Sequence, residues 1–436
     1  MKSIKILLFI LVLAANATFA QTQISLDDAI KYAMQNNLSI KNSQINIADA
    51  EARIYENRAT GLPQVSASFD WQTFFLIPKI KLPFAPEPIA FQQRHSFTPG
   101  ISASQLVYSG SYNVARRAAR DYRDLVQKQF TAKQIEVRNQ VIDAYLPALL
   151  ITESVKTFDK NIANLEKLLT ETKAFNKEGF VENLDIDRLT LSLENIKTQR
   201  ANVNRSKELV VNALRFVIGA KNTETFELKD DLTSLLSDVN QADLEGEINY
   251  TKRPEYNVIA QGEKMQQLQI DLTKASTLPT VAAFTSLSYG FQGNGFGKDD
   301  KGNKEYFFLP TGVVGAKVSV PIWGGGGLPY TKQRAQFALE TVRNQRMEFE
   351  NAVQLQVKNA RISYNNAKIN LASQEKNLVL AEKIYNISKI KYKEGIGSSV
   401  EIIQGESTLY QNQQNIIQAR YDLLKAKVDL NKALGN

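Results

Sequence analysis

Two nine-residue stretches decide how this chain folds: Lys177-Glu178-Gly179-Phe180-Val181-Glu182-Asn183-Leu184-Asp185 and Lys393-Glu394-Gly395-Ile396-Gly397-Ser398-Ser399-Val400-Glu401. In each, helical periodicity runs into Lys-Glu-Gly, where glycine can take the left-handed conformation that ends a helix. An acidic residue follows six positions later, as the next helix begins. The second copy lies 216 residues after the first, from Gly179 to Gly395 and from Asp185 to Glu401 alike.

Upstream of the first tip, Val137, Val141, Ala144, Ala148, Ile151, Val155, Phe158, Ile162, Leu165, Leu169 and Thr172 keep the 4-3 spacing of a coiled-coil seam. Upstream of the second, Val353, Val357, Ala360, Tyr364, Ala367, Leu371, Gln374, Leu378, Ala381, Tyr385, Ser388 and Tyr392 repeat it at the same offset. Leu62-Pro63 recurs as Leu278-Pro279, and Gly219 as Gly435. The spacing therefore predicts an internal duplication: residues 21–219 as one repeat of helix, β-hairpin, long helix, tip and helix, and residues 251–436 as the other. Residues 220–250 read as a linker with one strand candidate, 223–228. A helix over 112–176 would be about 90 Å long. Such helices must bury their stripes on one another or on other copies of the chain. Pro147 predicts a kink or local unwinding of the first of them.

The rest of the first repeat opens with Ser25 as N-cap, Asp28 at the capping-box position and a helix expected to run to about Thr60. From Gln64 the period becomes two. Val65, Ala67, Phe69, Trp71 and Phe75 share one face, and Gln64, Ser66, Ser68, Asp70 and Gln72 the other. Alternation resumes at Phe97, Ile101, Ala103 and Val107, after a loop carrying Pro78, Pro83, Pro86 and Pro88. In the second repeat it returns over Val281 to Phe291 and over Gly312 to Ile322, with 290–306 read as a glycine-rich loop. The alternation fits either a soluble sandwich or a membrane barrel with a wet lumen.

Composition narrows the function. The N-terminus reads as an export signal over 1–20, with Lys2 and Lys5, an apolar run from Ile6 to Leu13 and Thr18-Phe19-Ala20 before Gln21. The chain has no cysteine and a single histidine, His95, so disulfides, thiolate sites and histidine-based catalysis are excluded or nearly so. The formal charge of +8 on 436 residues is spread among acidic neighbours, the pattern of solvated helix faces rather than of nucleic-acid binding. The glycines of 290–297 and 324–327 lack the lysine-serine pair of a phosphate loop, and Asp299-Asp300 reads as a solvated loop. An enzyme lacks its catalytic cluster. A structural or adhesive coiled-coil protein without a conduit is the alternative to a transport function, and the regular strand alternation counts against it.

The order of these elements resembles the outer-membrane efflux protein family, the TolC-type channels. The resemblance rests on Leu26 to Ile30 (Leu-x-x-Ala-Ile), Arg253-Pro254-Glu255, the paired Leu-Pro before each hairpin, the glycine tips and Thr408-Leu409-Tyr410, and it covers nearly the whole chain after residue 20. Asn37-Leu38 departs from it by lacking a proline. The resemblance implies an α+β membrane protein in the outer membrane: a homotrimer sharing one 12-stranded barrel, four strands per chain, above a periplasmic coiled-coil tunnel. It implies a passive exit duct of a tripartite efflux or type I secretion system, docking a periplasmic adaptor and an inner-membrane pump through the tips at Gly179 and Gly395. No cofactor, metal or nucleic acid is implied. By position, Asp185 and Glu401 match acidic constriction residues, Gln404 departs from the family by standing where a second constriction aspartate is found, Tyr392 matches a tyrosine that helps close the entrance, and Gly397 stands where some relatives carry an arginine. Three copies of Glu401 around an axis would form an acidic ring attracting cations. The alternative for Glu401 is a favourable charge at a helix N-terminus.

Overall fold

The computed structural model describes residues 22–84, 86–90, 92–221, 224, 226–236, 244–298, 302 and 304–436. The export signal over 1–20 and Asp299-Asp300 lie outside the described residues. In chain order the elements are β1 (Thr22–Ile24), α1 (Leu26–Asn36), α2 (Leu38–Ala59), β2 (Gln64–Thr73), β3 (Lys79–Ile80), β4 (Ile89–Ala90), β5 (His95–Ser109), α3 (Gly110–Lys177), α4 (Asn183–Ile218), β6 (Phe226–Leu228) and α5 (Leu232–Leu235). A 3-10 turn (Tyr250–Lys252) then leads into α6 (Pro254–Ala275), β7 (Thr280–Lys298), β8 (Lys304–Ser319), α7 (Gly327–Lys393) and α8 (Ser399–Leu434).

The duplication holds to the residue for whole helices. Both bounds of α6 lie 216 residues after those of α2, and both bounds of α8 lie 216 after those of α4. Their ends use the same chemistry. Gly219 and Gly435 close α4 and α8 with φ of 75° and 79°, each in a left-handed turn that takes up the last carbonyls. Just before α2, Asn37 Nδ2 donates to Val217 O at 2.8 Å. At the equivalent place before α6, Arg253 Nη1 donates to Lys432 O and Ala433 O at 2.9 and 3.0 Å. Asn37 also ends the opening helix, which does not run unbroken to Thr60: its backbone is extended, with ψ of 127°. The reason is this cap, since Asn37 also bonds Ser39 N–H through its Oδ1 and so spends its side chain on two chain ends.

α3 is helical throughout, Pro147 included, so the expected unwinding does not occur. Tyr145, Leu146, Ala148 and Leu149 around it are buried to 1% or less, and that packing offsets one missing hydrogen bond.

The chain forms two compact units that alternate along it: residues 1–45, 128–258 and 346–436 in one, and 46–127 and 259–345 in the other. The first is helical. One of its cores gathers Ala29, Ala33, Val137, Val141, Tyr145, Leu214, Ile218 and Leu232 beside the short parallel pair of β1 and β6. There Tyr145 donates to Ile24 O at 3.1 Å and to Asp230 at 2.9 Å, tying the linker down. The seam positions read from sequence are buried or half-buried in both repeats. No helix among the described residues is long and apolar enough to cross a membrane.

The second unit holds one four-stranded antiparallel sheet in the order β2-β5-β7-β8. Its register puts Trp71, Phe97, Phe291 and Phe308 in one row, and Ala67, Ile101, Leu287 and Gly312 in another, all on the apolar face. Most of that face is open: Phe69, Trp71, Leu287 and Val314 are 67–84% exposed. Ser66 and Ser102 hydrogen-bond at 2.9 Å across the polar face. The β5–β7 ladder skips positions 98 and 99, where Pro99 has no N–H to give. The stretch 290–306 is not mainly a loop, since β7 continues to Lys298 and β8 starts at Lys304. Aromatic contacts among Tyr289, Phe291, Tyr306 and Phe308, with centroids 5.4 to 5.9 Å apart, accompany the pairing as far as Gly293, beyond which the register shifts before Lys298 meets Lys304.

Candidate functional site

Both tips end their long helices in the same way. Gly179 N–H bonds Asn176 O and Phe180 N–H bonds Phe175 O; Gly395 N–H bonds Tyr392 O and Ile396 N–H bonds Lys391 O. The two glycines have φ of 78° and 74°, with open space where a side chain would stand. Gly397 is different. A Cβ there would lie 2.9 Å from Lys391 Cβ and 3.0 Å from Tyr392 N, so this tip cannot carry an arginine at that position without changing its turn. Each tip presents two exposed apolar residues at matching positions, Phe180 and Leu184 in one, Ile396 and Val400 in the other.

Below the tips the ends of α3, α4, α7 and α8 share a core of Leu165, Leu168, Leu169, Leu189, Leu193, Tyr385, Tyr392, Ile402 and Leu409. Polar ties join the two repeats around it. Lys393 Nζ reaches Glu171 Oε2 at 2.7 Å and holds that carboxyl below its usual range. Asn161 Nδ2 donates to Gln413 Oε1 at 2.8 Å.

The residues singled out from sequence separate here. Asp185 is not a free acid: it accepts from the Ser399 hydroxyl, with Arg188 Nη1 at 3.7 Å from its Oδ1 and 3.2 Å from Ser399 Oγ. It clasps one tip to the other. Glu401 is exposed at the start of α8, where its N–H is capped by Ser398 Oγ at 3.2 Å and its carboxylate has no ion pair among the described residues. Gln404 lines a groove between α4 and α8 together with Arg188, Asn195, Gln199, Gln411 and Gln414. Tyr392 is a core residue, 5% exposed. Burial pushes its hydroxyl up, the adjacent Thr172 hydroxyl lowers it, and the Asp185 charge raises it again.

A further residue escaped the sequence reading. Glu406 of α8 is 1% exposed. Its Oε1 accepts from Tyr410 OH at 2.6 Å, while Oε2 has no partner among the described residues. Tyr410 also reaches Asn161 O of α3, at 3.3 Å. Burial drives the Glu406 carboxyl up to about 7, against the lowering effects of the Tyr410 bond and of Lys389 on α7. Tyr385 on α7 rises to about 12, through burial first and then the charges of Glu406 and of Glu171 on α3. A clue was present in sequence: Ile402, Glu406, Leu409, Gln413 and Ile416 keep 4-3 spacing, which puts a carboxylate on an apolar stripe. His95, on β5, lies with its Nδ1 3.2 Å from Thr73 Oγ1.

A family model described as outer membrane efflux protein matches residues 29–220 and 252–436, breaking only at the linker. No curated protein sequence matches the chain. Among solved structures, the outer membrane protein VceC from Vibrio cholerae is similar at 15% identity with a TM-score of 0.69, over 94% of this chain and 96% of that one. The CmeC outer membrane channel of Campylobacter jejuni is similar at 15% identity and 0.70, over 94% and 85%. The open state of the MtrE outer membrane channel of Neisseria gonorrhoeae is similar at 16% identity and 0.69, over 94% and 89%. At these identities the likeness is one of fold.

Proposed function

From the premise that the chain belongs to the outer membrane efflux protein family, we propose that three copies close one barrel and serve as the passive exit duct of a tripartite efflux or secretion assembly. That it is an efflux channel of the outer membrane, and not an enzyme, follows from the family itself. The observation that carries the finer reading is the sheet: four strands, an open apolar face, and two outer strands, β2 and β8, with no partner along their free edges among the described residues. In hydrocarbon an unpaired edge costs several kcal/mol per lost hydrogen bond, so the edges need other subunits, and three chains supply twelve strands. Residues 1–20 would be removed on export.

The tips are the docking surface for a periplasmic adaptor, supported by the exposed pairs Phe180 with Leu184 and Ile396 with Val400. An inner-membrane pump supplies the energy. At the entrance Glu401 provides the acidic ring, Gln404 borders it, and Asp185 works with Tyr392 and its neighbours to hold the tips together. Purified protein in planar bilayers should give trimeric, ohmic channels, and photo-crosslinkers at Phe180 and Ile396 should capture an adaptor in cells. A protein that neither conducts nor crosslinks would overturn this reading.

A further inference from the structure

The second unit carries a cluster that neither the barrel nor the tips use. Arg58, Arg116, Arg120 and Arg123, with Glu51, Ile54 and Tyr55, line a cleft between the end of α2 and the start of α3. Arg123 pairs with Asp124 at 3.0 Å, and Arg116 lies over the Tyr112 ring at 5.7 Å. Arg58, Arg116 and Arg120 are exposed and have no carboxylate partner among the described residues. Set against Glu51 and the Asp124 that pairs with Arg123, the four arginines still leave the cleft positive.

The duplication shows that the fold does not require this charge. At the same places in the second repeat stand Lys274, Lys332, Gln336 and Leu339. There Leu339 packs with Ile270 and Ala335 into a small apolar core, and Lys274 is neutralised by Asp271 at 3.7 Å. One backbone plan thus closes this region with leucine in one repeat and leaves it open and cationic in the other.

The direction in which the cleft opens follows from the strands. Phe74 N–H donates to Arg94 O, so the even-numbered residues of β2 are those whose backbone groups point at β5. For L-residues this sets β5 to the left of β2 when the apolar face is viewed with β2 running away from α2. The right-handed turn of the helices, continuing below their strands, then aims Tyr55, Arg58, Arg116 and Arg120 at that same viewer. By the same helical turn, Arg53 and Tyr122, stacked at 5.5 Å, fall on the opposite side. Arg58 precedes β2 by six residues and Arg116 follows β5 by seven, so the cleft lies just beyond the edge of the apolar face.

We propose that this cleft binds the phosphate of an anionic phospholipid headgroup from the membrane leaflet on the helix side of the sheet. Guanidinium forks match phosphate oxygens, and the exposed Tyr55 suits the boundary between hydrocarbon and water. The proposal rests on the outer-membrane reading given above. Its test is native mass spectrometry of the detergent-purified trimer with added phosphatidylglycerol, phosphatidylcholine or inorganic phosphate. The wild type should retain phosphatidylglycerol over phosphatidylcholine by on the order of tenfold or more, because several basic side chains near an anionic headgroup each favour it. The triple variant Arg116→Lys, Arg120→Gln, Arg123→Leu copies the second repeat, a set of side chains this fold already accommodates, and should lose that preference. The single variant Arg120→Gln should show a partial loss. Equal retention by wild type and variants would overturn the proposal, and so would inorganic phosphate competing phosphatidylglycerol off at equal concentration, which would mark a soluble-anion site. Conductance in pure phosphatidylcholine bilayers separates the two readings. A conducting trimer without lipid preference sinks only the headgroup site, whereas a protein that never conducts sinks the channel beneath it.

Discussion

Replacing Glu406 with glutamine should abolish a pH dependence built into the packing beneath the tips. The carboxyl rises from its ordinary 4.5 to about 7 in the folded protein, because burial disfavours its charged form. The folded state therefore holds a proton that the opened state releases. The stabilisation is complete below about pH 4.5 and disappears as pH rises to about 7 and beyond. A shift of this size corresponds to about 3 kcal/mol per chain, or roughly a hundredfold in a local opening equilibrium. Glutamine keeps an oxygen for the Tyr410 hydroxyl and cannot ionise. Hydrogen exchange of backbone amides around 402–413, measured on wild type and Glu406→Gln at matched pH so that intrinsic rates cancel, reads the effect directly. Protection should be alike near pH 4, and by pH 8 to 9 the wild type should exchange about a hundredfold faster than the variant. Parallel profiles across that range would show that Glu406 does not couple proton binding to tip packing.

Other perturbations test neighbouring claims. Asp185→Ala leaves Arg188 and Ser399 without their shared acceptor; the pair is partly exposed, so stability should fall by only about 1 kcal/mol, while single-channel conductance in bilayers should rise, and an unchanged conductance would remove the clasp from the gate. Glu401→Ala should lower cation preference and weaken block by divalent cations; an unaltered reversal potential and block would make Glu401 only a helix-start charge. Arg253→Ala strips two donors from the end of α8 and should cost about 2 kcal/mol, seen as a lower melting temperature, with Asn37→Ala at the equivalent end of α4 costing about 1.

Local pattern carried much of the fold. The 4-3 spacing from Val137 to Thr172 foretold a buried seam because it reports side-chain direction on a helix, and the repeat offset then fixed α8 from α4. Alternation from Gln64 and Val65 onward found the strands for the same reason. What stayed hidden depended on partners distant in sequence. Asn37 ends a helix because Val217 O waits 180 residues away. Gly290 and Gly293 remain in β7 because β8 pairs with them, Tyr306 standing opposite Gly293 and close against it. Asp185 looked like Glu401 in sequence, and only the approach of Ser399 distinguishes a clasped acid from a free one. Glu406 stood on an apolar stripe in plain view, but its meaning required the four helix ends that enclose it.

The unpaired outer strands have a consequence for how the molecule is made. A single copy offers, at β2 and β8, two rows of backbone donors and acceptors that neither lipid nor an apolar neighbour can satisfy. In the proposed trimer, insertion and oligomerisation would then be one event rather than two, with a rate that rises steeply with local concentration. Until that event the newly exported chain is a sticky template for its own kind. A cell that produces it must either escort it or keep it scarce.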